Sequence, residues 1–125
     1  MARRVVSILR HASHAARAVE PALEANAYAI AEDVDLTLVL RADAVELAVA
    51  GAEPRRAELA GSPLPPAASA QDIRGLVESG VAVVVVADDA RRAGLADVDF
   101  VTGVRTADAA AVASLLRHAD AVIAW

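Results

Sequence analysis

The sequence predicts a three-layer α/β/α domain around a mostly parallel sheet of five strands. Three observations lead there. Short apolar runs of strand length alternate with segments of helical spacing along the chain. The longest run, residues 81–87, is apolar at every position, as in a central strand covered on both faces. Glycines, prolines and capping residues fall between the runs. Strands joined through helices cross over right-handed, which makes them parallel.

The elements follow in order. Residues 4–9 are the first strand. Residues 11–19 read equally as a loop or a frayed turn. Pro21 suits the first position of a helix and poorly suits its interior, so a helix over 21–31 follows, with Leu23, Ala27, Ile30 and Ala31 on one face. Residues 35–40 are the second strand. Asp43 can cap a short helix over 44–50, closed by Gly51. Residues 51–68 hold two glycines and four prolines. They form one long irregular segment, either a partner-binding loop or a plain surface excursion.

Ser69 with Asp72 resembles a capping box and opens a helix through Glu78, stopped by Gly80. Residues 81–86 are the third strand. Asp88 starts a short helix closed by Gly94. Residues 98–102 are the expected fourth strand. Thr106 caps a helix to His118 that sets Val112, Leu115, Leu116 and Ala119 on one face. Residues 121–124 are the last strand.

Composition excludes whole classes of function. The 125 residues are one domain, 57% apolar but only 2% aromatic, so the core is built from Val, Leu, Ile and Ala. No apolar stretch reaches the ~18 residues of a membrane span. The apolar segment behind Met1 is interrupted at Arg10, too early for a secretion signal. These features predict a cytoplasmic protein. Cysteine is absent, which removes disulfides, thiolate metal sites and cysteine nucleophiles. All twelve basic residues are arginine, so lysine Schiff bases and a phosphate-loop lysine are absent too. No two glycines stand in G-x-G spacing, which removes the dinucleotide fingerprint. With a net charge of −5 and no basic stripe bearing aromatics, nucleic acid is not an expected partner.

Parallel sheets bind ligands beyond the carboxyl ends of their strands. That edge would gather Arg10, His11, Ser13 and His14 after the first strand, and Arg41 and Asp43 after the second. Asp88, Asp89 and Arg91 follow the third, and Arg105 and Thr106 the fourth. His11 and His14, three apart, could share a face and bind a metal with Asp88 or Asp89. The plainer reading, and the one favoured, is two solvated loop histidines. The two aspartates also suit a helix start, where carboxylates complement the dipole. Arg10, Arg41 and Arg105 could form an anion site or pair with Asp43 and Asp88. Trp125 reads as an edge or interface residue.

Four stretches resemble the DsrE/DsrF/DsrH superfamily of small sulfur-relay proteins, which includes the TusBCD subunits. Leu38-Val-Leu-Arg-Ala-Asp43-Ala-Val45 is similar to that family's second strand and Asp-Gly-Val turn, with Ala44 in place of the glycine. Ile73-Arg-Gly-Leu-Val-Glu-Ser-Gly80-Val81 is similar to its helix, glycine and third strand. Val83-Val-Val-Val-Ala-Asp-Asp-Ala-Arg-Arg-Ala-Gly94-Leu95 resembles the strand and Arg-Gly-Ile stretch around its persulfide cysteine. Asp120-Ala-Val-Ile-Ala-Trp125 resembles its terminal strand. Counting back from Gly94, the family cysteine falls near Val86 or near Asp89. Persulfide relay needs a thiolate, which neither residue supplies.

The resemblance therefore implies a single DsrE-like domain over residues 1–125 without the sulfur chemistry. It also implies assembly, since relatives form trimers, hexamers or mixed hexamers. The expected function is non-catalytic binding of a partner protein or small ligand at the carboxyl edge, through Arg10, His11, His14, Asp43, Asp88 and Asp89. One alternative is a cysteine-independent enzyme, or a metal- or anion-binding protein, that uses His11 or His14 with Asp88 or Asp89. Another is a structural subunit that completes a complex with a cysteine-bearing paralogue. No cofactor is identified.

Overall fold

The computed structural model describes residues 3–10, 34–50, 58–59, 62–63 and 70–125. Strands β1 (Arg3–Leu9) and β2 (Val34–Leu40) lie side by side and parallel, in a register that pairs Leu9 with Leu40. A 3-10 helix, Ala42–Ala48, follows β2 directly. The two-residue pieces β3 (Glu58–Leu59) and β4 (Ser62–Pro63) pair antiparallel within the segment expected to be irregular. Helix α1 (Ala70–Glu78) leads into β5 (Ala82–Val86), which runs without a loop into α2 (Ala87–Arg92). Strand β6 (Arg105–Ala107), helix α3 (Ala109–Arg117) and β7 (Ala121–Ala124) complete the chain. The sheet is parallel throughout, with neighbour order β6-β5-β2-β1-β7. The expected α/β architecture and its five strands are therefore present.

Strand alternation and register divide the side chains between two faces. Ser7 and Leu9, Leu36, Leu38 and Leu40, and Val83 and Val85 point to one face. There they meet Ala44, Val45, Leu47 and Ala48 of the 3-10 helix, Ile73 and Leu76 of α1, and Ala90 of α2. Leu9, Leu38, Leu40 and Ile73 are fully buried. Removing a side chain of this size from water stabilises the fold by about 1.5–3 kcal/mol. Apart from Ser7, the fully buried side chains among the described residues are aliphatic, as the composition required.

Two helices stop where glycine permits it. Gly80 and Gly94 have φ of +96° and +75°. After each, an amide reaches back five residues: Val81 N–H donates to Leu76 O at 3.0 Å and Leu95 N–H to Ala90 O at 2.8 Å. This is the Schellman ending, which satisfies carbonyls that the helix leaves over.

Residues 98–102 are not the fourth strand. Phe100 makes an isolated antiparallel bridge to Val49, and Val101 N–H donates to Ala48 O at 2.8 Å. The segment runs beside the end of the 3-10 helix, where Val101 is buried at 2% exposure. Its apolar residues are satisfied there, off the sheet. The sheet position goes to Arg105–Ala107, an edge strand whose exposed side chains need no apolar pattern. The cap of α3 moves with it. Asp108, not Thr106, accepts the Ala111 N–H at 2.8 Å.

Candidate functional site at the carboxyl edge of the sheet

The site is built by β1, β2 and β5, which are neighbours in the sheet. Arg41 N–H donates to Leu9 O at 3.0 Å, so Arg10 and Arg41 leave adjacent strands side by side. Both are exposed. On the other side of β2, α2 begins at once and sets Asp88 and Asp89 in its first turn, where carboxylates favour the helix dipole.

The two aspartates have different environments. Asp88 is half exposed and pairs with Arg91 one turn along the helix. Asp89 retains only 17% of its side-chain exposure and has Arg92 at 3.5 Å. Its Oδ2 accepts the Ala42 backbone N–H at 2.8 Å, across 47 residues of sequence. Ala42 is the start of the 3-10 helix and has φ of +50°, a left-handed conformation that a residue with a Cβ adopts at a cost. Asp89 therefore pins the turn after β2 and satisfies an amide at that helix's first residue.

This corrects the expected role of Asp43. The helix cap is Arg41, with no side-chain capping bond, and Asp43 lies exposed within the first turn. The acceptor comes from Asp89 instead. Sequence reasoning had no signal for the positive φ at Ala42, since alanine rarely marks such a turn.

The structure brings Arg10, Arg41, Asp43, Asp88 and Asp89 to one edge. It separates Arg105, which lies inside β6 opposite Val84. His11, Ser13 and His14 lie outside the described residues, as do the helix expected over 21–31 and the capping Ser69. Arg10, residues 41–50 and residues 87–92, which directly follow β1, β2 and β5, offer guanidinium and carboxylate groups but no hydroxyl or thiol. No group of three metal-ligating side chains occurs among the described residues. The arrangement suits charge recognition, with Arg10 and Arg41 beside exposed Asp43. Trp125 is half-buried against the core and donates from Nε1 to Ser7 Oγ at 2.8 Å.

An all-parallel five-stranded sheet, with a helix springing directly from β5 at the candidate edge, is an α/β domain with its strand ends gathered on one side. The sequence profile of the DsrE/DsrF-like family matches residues 3–125, and the chain belongs to that family. The crystal structure of the ychN protein from E. coli is similar across 100% of both chains, with a TM-score of 0.74 and 21% identity. That likeness is one of fold. No curated protein matches the chain. It is thus a family member with no cysteine anywhere in its sequence.

Proposed function

We propose that this chain is a DsrE-like subunit that carries no persulfide and recognises a partner at the carboxyl edge of its sheet. The observation that carries the reading is the use of Asp89. One of the two positions where family resemblance would put the sulfur-bearing residue holds a carboxylate that accepts the Ala42 amide. The other, Val86, ends β5. Among the described residues, the edge presents Arg10, Arg41, Asp43 and the half-exposed Asp88 to solvent. An exposed mixed-charge rim favours a protein surface over a small molecule, which needs a concave, largely apolar site.

The subunit works in an assembly, as a homo-oligomer or with a cysteine-bearing paralogue. Two exposed features support this. The edge strand β7 presents Val122 at 49% and Ile123 at 45% exposure, and no residue of α3 is buried. Uncharged apolar edge strands are natural association sites.

The test is co-expression with a cysteine-bearing DsrE-like protein from the same genome, for the wild type and for Arg10→Glu/Arg41→Glu. The expected result is a mixed complex that the charge reversal weakens by at least about tenfold, with the circular dichroism spectrum unchanged. Equal association of both forms would remove the carboxyl edge from the account.

A further inference from the structure

A cleft of about 560 Å³ lies between α3 and the face of the sheet opposite the main core. We propose that it is a second binding site, for a small organic anion with an apolar body. The site is separate from the carboxyl edge, and its failure would leave the reading of that edge standing.

The cleft follows from the sequence of α3. Ala111, Ser114, Leu115 and His118 line it, at the i, i+3, i+4, i+7 spacing of one helix face. A helix laid on a sheet normally buries that stripe. Here none of it is buried, because two of the four side chains are small and leave a gap. Of the expected apolar face, Leu115 and Ala119 line the cleft, and Val112 and Leu116 are half-buried. Val6 and Val84 form the floor, on the strand face that alternation sets away from the main core.

Charge is unevenly placed along the cleft. Arg4 and Arg105 both line it, on strands three spacings apart and offset by four residues in register, so roughly 19 Å separates their backbone positions. Arg4 stands opposite Asp35 in the register, and both line the cleft, so that end carries both signs of charge, although the two form no ion pair. Arg105 stands opposite Val84. Among the described residues it makes no ion pair. At the Arg4 end, His118 donates from Nδ1 to Ser114 O at 2.8 Å, which leaves Nε2 as its second polar atom. An apolar trough with a guanidinium at one end that makes no ion pair among the described residues suits a carboxylate, phosphate or sulfonate carried on a hydrocarbon body. The volume is that of an ordinary small-molecule site, roughly 300–1,000 Å³.

Octanoate, octanol and octylamine separate charge from apolar body, and each can be titrated below its micellar concentration into methyl-labelled protein. The expected result is saturable shifts at the Val6, Val84 and Leu115 methyls, with octanoate bound at least about threefold more tightly than octylamine. Arg105→Gln, a change at an exposed side chain, should remove that preference and leave octanol binding intact. Leu115→Trp, or Ala111→Leu if the larger residue unfolds the helix, should fill the cleft and abolish all three. Arg41→Glu should change none of them. Absence of saturable binding, equal binding of octylamine, or shifts confined to residues around Arg41 and Asp88 would each overturn the proposal.

Discussion

Replacing Asp89 by alanine should destabilise the domain far more than the same change at Asp88, although the two are neighbours in one helical turn. Asp89→Ala removes an ionised acceptor from the Ala42 amide. Hydrogen bonds to charged groups are worth about 1.5–3 kcal/mol. Ala42 is exposed, so water can take up the orphaned amide and the low end of that range applies. Loss of the carboxylate from the first turn of α2 adds roughly 0.3–1 kcal/mol. The Arg92 partner is 81% exposed and adds little, since exposed ion pairs are worth about 0–1 kcal/mol.

The sum is about 2–3 kcal/mol. An unfolding entropy of about 2.1 cal/mol/K per residue converts this to a fall in Tm of roughly 8–11 °C. Asp88→Ala loses a solvated pair and the same dipole contribution, about 0.5–1 kcal/mol. Asp89→Asn keeps a neutral acceptor and should fall between the two. Urea unfolding followed by the single tryptophan gives all three values. Equal destabilisation by Asp88→Ala and Asp89→Ala would refute the clamp.

Three further outcomes follow from particular contacts. Gly103 has φ of +97°, and a Cβ there would stand 2.5 Å from Val77 Cγ1. Gly103→Ala should therefore lose about 2–4 kcal/mol in urea unfolding, whereas Gly94→Ala, with open space around it, should lose only about 1 kcal/mol. Trp125→Phe removes the donor to Ser7 Oγ, whose residue is 1% exposed, and should lower stability by about 1–2 kcal/mol. Ser7→Ala in that background should then cause little further loss in a double-mutant cycle. Ile123→Glu places a charge on the exposed edge strand and should shift the sedimentation profile toward monomer while leaving the thermal midpoint of the monomer within about 2 °C.

The sheet was legible because its inner strands are short apolar runs that end at recognisable breaks. β2 was read one residue late and β5 one residue early. The Gly80 and Gly94 stops were legible for the same reason, since the positive φ of a Schellman ending favours glycine. The fourth strand was not. Apolar residues 98–102 look like a strand whether they enter the sheet or pack beside it, and the true edge strand Arg105–Ala107 lacks an apolar pattern.

The candidate edge was legible as a set, because strand ends collect on one side of a parallel sheet. The division of labour within it was not. Nothing in Asp88-Asp89 distinguishes the residue that pairs with Arg91 from the one that reaches Ala42. That difference arises from the pairing of β2 with β5, a long-range contact. The cleft under α3 was hidden for a similar reason. Arg4, Asp35 and Arg105 are far apart in sequence and meet one trough only through the strand order.

The central claim is that a DsrE-like scaffold has kept its architecture and role in assembly while giving up sulfur transfer. Native mass spectrometry of the purified protein, before and after exposure to glutathione persulfide, tests both halves at once. The account predicts a discrete oligomer whose mass is a whole multiple of the chain and gains no sulfur. A bare monomer would contradict the assembly, and a covalent sulfur adduct on the chain would contradict the loss of sulfur chemistry.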